Sequence, residues 1–175
     1  MLSLHAEAPA FTLEGVQSGR VGRFTLAEHR RRWVILFFYP ADFTFVCPTE
    51  VRAFQKRLPE VTAMDAVVLA IGPDDVATHR EWARELGGID FPLLSDGERA
   101  VSRAYEVLDE REARPYRATF VLAPDGRIAW LSVSPMNVGR SVEETLRVVQ
   151  ALQTGRLCPA EWRPGEATGG PELRY

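Results

Sequence analysis

The chain has 175 residues, with 21 basic residues against 24 acidic ones and a net charge of −3. That balance gives no electrostatic footprint for nucleic acid or an anionic membrane surface, and no apolar run approaches the length needed to span a bilayer. The length fits one domain able to bury its core without staples, and two cysteines are too few for a disulfide framework.

In chain order, the first strong element is residues 33–38, an unbroken apolar run rich in β-branched and aromatic types. It predicts a strand buried on both faces. The loop Tyr39-Pro40-Ala41-Asp42-Phe43-Thr44-Phe45-Val46 leads to Cys47-Pro48-Thr49-Glu50. Pro48 suits the first position of a helix, where its missing N–H costs nothing, and Val51, Phe54 and Leu58 then recur at helical spacing. Cys47 therefore falls at a helix N-terminus. Residues 66–71 form a second buried strand ending at Gly72-Pro73. A helix follows, capped by Asp74 or Asp75, with Trp82 and Leu86 on one face and Gly87-Gly88 as its stop.

Residues 91–97 read as a short strand and turn, and 99–107 as a short helix. Strands at 119–122 and 127–133 flank Pro124-Asp125-Gly126, a hairpin signal. Ser141 with Glu144 three residues on forms a capping box, and Val142, Leu146, Val149 and Leu152 make an apolar stripe ending at Gly155. From Cys158 on, Pro159, Pro164, Gly165, Gly169, Gly170 and Pro171 argue against regular structure, so this segment is expected to be mobile or docked on a partner. The order of elements predicts an α/β thioredoxin-like fold, a mixed central sheet flanked by helices. It occupies residues 1–155, followed by an irregular C-terminal tail over 156–175.

Cys47 is the residue with chemistry in it. The thiolate is the nucleophile, and a free thiol with a pKa of about 8.5 is only a few per cent ionised at pH 7. Lowering such a value to about 6 takes roughly 3.4 kcal/mol, whereas a helix N-terminus supplies about 0.3–1 kcal/mol and seldom more than about 2. A cation close to the sulfur is required, and the candidates are the chain's many arginines, one of which could arrive from a neighbouring strand.

Pro40, Thr44 and Cys47 stand in the Pro-x-x-x-Thr-x-x-Cys arrangement of peroxiredoxins, which this chain resembles closely. The likeness continues through 91–96, 117–122, 138–145 and Cys158-Pro159-Ala160-Glu161-Trp162, and is strongest to the typical two-cysteine type that includes the C component of alkyl hydroperoxide reductase. The resemblance implies a thioredoxin fold and reduction of hydrogen peroxide and alkyl hydroperoxides at a Cys47 thiolate. It assigns the missing cation to Arg117, just before the strand at 119–122. A guanidinium stays charged and offers several donors, so it can serve both thiolate and peroxide.

Thr44 offers a hydroxyl to the peroxide, Pro40 shields the site from water, and Glu50 orients an arginine or favours the helix dipole. Cys158 is implied as the resolving thiol, from the other subunit of a homodimer that could close into a decamer. A disulfide needs Cα atoms within about 7 Å, so the first turn around Cys47 is expected to unwind, as is the tail. The implied electron donor is thioredoxin or a dedicated disulfide reductase.

Two departures stand out. Overoxidation-prone relatives carry Gly-Gly-Leu-Gly and a C-terminal Tyr-Phe pair. Here the first is Gly87-Gly88-Ile89-Asp90 and the chain ends Pro171-Glu172-Leu173-Arg174-Tyr175, so the tail is expected to pack less over Cys47 and the enzyme to resist sulfinic inactivation. His5, His29 and His79 show no metal-ligand spacing, and no phosphate-binding glycine loop occurs, so neither metal nor cofactor is expected. The start Met1-Leu2-Ser3-Leu4-His5-Ala6-Glu7 lacks the pattern of a signal peptide, which points to the cytoplasm. A thioredoxin-type oxidoreductase would need a Cys-x-x-Cys, which is absent. A holdase or peroxide-responsive scaffold is the non-enzymatic alternative, separated by holdase assays on Cys47→Ser.

Overall fold

The structure is a computed structural model and describes residues 2–170. The chain divides into two compact units with the boundary between Arg140 and Ser141. In the first unit a seven-stranded sheet is built from β1 (Thr12–Gln17), β2 (Arg20–Thr25), β3 (Trp33–Phe38), β4 (Ala66–Gly72), β5 (Leu93–Ser95), β8 (Arg117–Leu122) and β9 (Ile128–Ser134). Their spatial order is β2-β1-β5-β4-β3-β8-β9. β3 and β5 run parallel to β4, while β1 and β8 join antiparallel, so the sheet is mixed as expected. A two-stranded ribbon, β6 (Leu108–Asp109) with β7 (Arg114–Pro115), lies apart from it.

β3 lies inside the sheet, between β4 and β8, and every residue after Trp33 is buried. Its alternate side chains serve two cores. Phe37 stacks on Phe54 at 4.6 Å between ring centroids and meets Phe91 edge-on at 6.2 Å. Phe54 belongs to helix α1 (Cys47–Ala63), which covers that face. On the opposite face Val34, Leu36 and Phe38 join Leu69, Ile71, Phe120, Val101 and Tyr105. Val101 lies on α3 (Ala100–Ala104) and Tyr105 is its cap, so helices flank both faces. Truncating a ring such as Phe54 in either core costs about 3–5 kcal/mol.

Helix α2 (Val76–Glu85) begins at Asp75, whose side chain accepts from the Thr78 N–H at 2.8 Å. Of the two aspartates available, Asp75 is the cap, and Asp74 is free to bond elsewhere. Gly87 and Gly88 follow with φ of 92° and 97°, conformations that stop the helix.

The second unit opens with α4 (Val142–Thr154), capped by Ser141 accepting from the Glu144 N–H and closed by Gly155 at φ 60°. Val142, Leu146 and Val149 are buried, as the stripe predicts. Residues 156–170 are irregular turns held by their own bonds, including Trp162 Nε1 to the Glu166 carbonyl at 3.1 Å and the Gly169 N–H to the Leu157 carbonyl at 2.7 Å. The expectation about how the last five residues pack lies outside the described residues.

Several boundaries differ from the sequence reading. β1 and β2 were not expected, because Leu-Glu-Gly-Val-Gln and Arg-Val-Gly-Arg-Phe carry little apolar alternation and the pair is half exposed. Their signal was the turn: Ser18 and Gly19 have φ of 48° and 76°, the paired positive values of a tight hairpin. The helix predicted over 99–107 shrinks to α3, since Arg99 is left-handed at φ 59°. Cys47, not Pro48, takes the first helical position, and Arg117 lies inside β8 rather than before it.

Candidate active site

Cys47 is fully buried at the start of α1, after Val46, whose side chain offers no cap. Pro48 removes one N–H at this end, and the positive end of the helix dipole faces the thiol region. Glu50 lies one turn on and so projects from the same face of α1.

β8 brings Arg117 to that face. Its Nε donates to the Met136 carbonyl at 2.7 Å, which fixes the plane of the guanidinium. Its Nη1 lies 3.2 Å from Cys47 Sγ and 2.8 Å from Glu50 Oε2. The cation that a thiolate at Cys47 needs is therefore in hydrogen-bond reach of the sulfur.

A second arginine, which the sequence reading did not single out, completes the group. Arg140 donates from its backbone N–H and its Nε to Glu50 Oε1, both at 3.0 Å. Its Nη1 donates to the Ala118 carbonyl at 2.9 Å and Thr119 Oγ1 at 3.0 Å, and its Nη2 to the Phe38 carbonyl. Its guanidinium carbon lies 4.8 Å above the Phe37 ring. Burial pulls Arg140 below its ordinary value, and Glu50 opposes that shift. Two buried guanidiniums share one carboxylate, which leaves a formal positive charge facing Sγ.

Pro40 is buried, and Thr44 is half-buried with its hydroxyl donating to the Ala41 carbonyl at 3.3 Å. That bond uses the hydroxyl proton and leaves the oxygen lone pairs free. Cys158 belongs to the second unit and is a free thiol, as Cys47 is. Its Sγ lies 3.4 Å from Thr154 Oγ1 and 3.8 Å from the Ala151 carbonyl at the end of α4. Cys47, Arg117 and Glu50 are thus assembled in one cluster, Pro40 and Thr44 lie in the loop leading to it, and Cys158 stands at the C-terminal end of α4.

A mixed sheet with a buried cysteine opening the helix after the interior strand β3, faced by an arginine from the neighbouring strand β8, defines a thiol-based redox enzyme of thioredoxin-like architecture. Comparison with known proteins narrows the class. The chain belongs to the AhpC/TSA family, whose model matches residues 4–131, and within it to the typical two-cysteine peroxiredoxins.

Peroxiredoxin prdx-2 of Caenorhabditis elegans is 40% identical over 177 residues, spanning 95% of this chain and 88% of that protein. The thioredoxin peroxidase of Fasciola hepatica is 39% identical over 178 residues, spanning 96% and 92%. The crystal structure of the reduced 2-Cys peroxiredoxin of Plasmodium vivax superposes with a TM-score of 0.89 at 34% identity, covering 94% of this chain and 91% of that one. The chain is a thiol-dependent peroxidase.

Proposed function

We propose that Cys47 is the peroxidatic thiol, Cys158 the resolving one, and Arg117 the residue that holds both thiolate and peroxide. The observation carrying this is the 3.2 Å approach of Arg117 Nη1 to Cys47 Sγ. The Cys47 thiolate attacks the terminal oxygen of the peroxide; an S–O bond forms as the O–O bond breaks, and the departing oxygen takes a proton to leave as water or an alcohol. Arg117 and the α1 N-terminus are aimed at the charge that develops, while the Thr44 oxygen, its proton bonded to the Ala41 carbonyl, can accept from the peroxide O–H. Pro40 keeps water from the loop.

The sulfenic acid on Cys47 then meets the Cys158 thiol. An S–S bond forms and water leaves, carrying the sulfenic oxygen. A dithiol donor supplies two electrons to return both thiols. Thioredoxin is one such donor, a reading supported by the name of the Fasciola relative; a dedicated disulfide reductase is the other. A thiol renewed at every turnover needs a reducing compartment, which supports the cytoplasm. The disulfide is read as intersubunit in a homodimer. Phe45, 93% exposed, and Phe43 beside it are apolar surface that supports closure of dimers into a ring of ten.

Non-reducing electrophoresis after one equivalent of hydrogen peroxide tests the scheme. The wild type is expected to run as a covalent dimer, and Cys158→Ser to consume one equivalent without forming the band. Cys47→Ser is expected to consume none. Equal peroxide consumption by the two variants would refute the assignment.

A further inference from the structure

His79 is a fully buried group that the reaction as proposed leaves unused. It projects from α2, with Nδ1 2.7 Å from Asp42 Oδ2 and Nε2 3.2 Å from the Leu94 carbonyl on β5. Asp42 is fixed at three atoms. His79 holds Oδ2, the Tyr39 hydroxyl donates to Oδ1 at 2.9 Å, and the Asp42 N–H donates to Asp74 Oδ2 at 2.9 Å. The Tyr39 ring is itself seated on Gly72 at the end of β4, where an added Cβ would meet its ring and hydroxyl at 2.6–2.9 Å.

These bonds converge on the connection between β3 and α1, the segment that delivers Cys47. Phe43, next to Asp42, has φ 51°. An aromatic residue occupies that left-handed region only where its surroundings over-determine it. Asp42 holds one side of Phe43 and the Thr44 hydroxyl, bonded to the Ala41 carbonyl, holds the other. The Phe43 ring lies 6.4 Å from Trp82, one turn along α2 from His79. A strained loop is therefore kept in shape by bonds that meet at one buried carboxylate, and none of them involves Cys47.

We infer that His79 is a positioning residue for the peroxidase reaction. By gripping Asp42 it keeps residues 40–46 folded so that Cys47 meets peroxide beside Arg117, and parting of the His79–Asp42 contact frees the loop for disulfide formation. The second half rests on the two-cysteine reading above. The expected signature is two opposite effects: weakening the grip slows the first oxidation and speeds the step after it.

The test uses the reduced full-length protein, hydrogen peroxide and stopped-flow tryptophan fluorescence, with acid quenching and mass spectrometry to identify the species in each phase. His79→Gln is expected to slow sulfenic acid formation about tenfold and to speed disulfide formation by a similar factor. Tyr39→Phe removes one bond to Asp42 and keeps the ring, so it is expected to shift both phases the same ways by about threefold, and it carries the test where His79→Gln does not fold.

Hydrogen exchange of residues 40–46 in the reduced state is expected to quicken about tenfold in His79→Gln. Both phases slowing together, or exchange equal to that of the wild type, would overturn the role of His79. Failure of the wild type to form any Cys47–Cys158 disulfide refutes the two-cysteine reading instead. The exchange and first-phase results then decide the role of His79.

Discussion

Arg117 is bound to Glu50 through the same nitrogen that faces the Cys47 sulfur, with Nη1 2.8 Å from Oε2 and 3.2 Å from Sγ. With Nε tied to the Met136 carbonyl, the guanidinium cannot turn from the thiol without losing all three partners. A lysine ammonium keeps the charge but lacks the planar fork that meets these groups together. Arg117→Ala is expected to lower the second-order rate of peroxide reduction about 10²–10³-fold, with Arg117→Lys falling between it and the wild type. Stopped-flow measurement of the first oxidation checks this, and a lysine variant at the wild-type rate would show that charge alone suffices.

Among the described residues, Glu50 is the one carboxylate ion-paired with both buried guanidiniums. Removing one partner of a buried ionic group leaves the other charge uncompensated, at a cost of about 3–5 kcal/mol. Glu50→Ala is therefore expected to lose stability in that range by urea unfolding. Glu50→Gln, which still accepts hydrogen bonds, is expected to lose less stability while still loosening Arg117 and slowing peroxide reduction.

Legibility from sequence followed the kind of signal each residue carries. The buried strands, α1 and α4 were readable because apolar runs, helical spacing and a capping box are local patterns, and Cys47 was readable from its neighbours in the chain. A helix end alone is too weak to hold a thiolate, so the need for a cation near Cys47 is legible in the local sequence even though its identity is not. Arg140 had no local mark: it follows a glycine in an irregular stretch, and its role exists only because the fold brings Phe38, Ala118 and Glu50 around it. His79 likewise reads as one scattered histidine until Asp42, 37 residues away in sequence, lies against its ring. Sequence spacing reports neighbours on one element, whereas these groups are assembled across several.

Asp42 gives a pH dependence of unusual sign for a carboxylate. Burial pushes its carboxyl above the ordinary value of 3.8, and the bonds from His79 and Tyr39 oppose that shift without cancelling it. The folded state thus binds this proton more readily than the unfolded chain, so the Asp42 contribution to stability declines as pH rises from 3.8 through the folded value. Glu144, held down by Arg147, and Asp109, held down by Tyr116, work the other way, stabilising above the usual carboxylate range and losing that effect in acid. Subtracting the Asp42→Asn unfolding curve isolates the first effect. The wild-type minus variant free energy is expected to fall between about pH 4 and the end of the Asp42 titration, then level off; a difference that climbs with pH would reverse the assignment.

Gly72 tests how the sheet sets the loop. It ends β4, and a methyl group there would lie 2.6 Å from the Tyr39 ring, closer than real atoms approach. Tyr39 is fully buried, between Trp82 at 5.5 Å and Phe37 at 6.0 Å between ring centroids, so the ring has little room to yield. Overpacking of this kind costs about 1–3 kcal/mol. Gly72→Ala is expected to show that loss in urea unfolding, together with a slower first oxidation, because Tyr39 can move only by drawing its hydroxyl off Asp42. Tyr39→Phe combined with Gly72→Ala separates the two effects. Its oxidation rate is expected to match that of Tyr39→Phe alone, since the bond that the alanine would displace is already gone, whereas its stability still carries the cost of the clash.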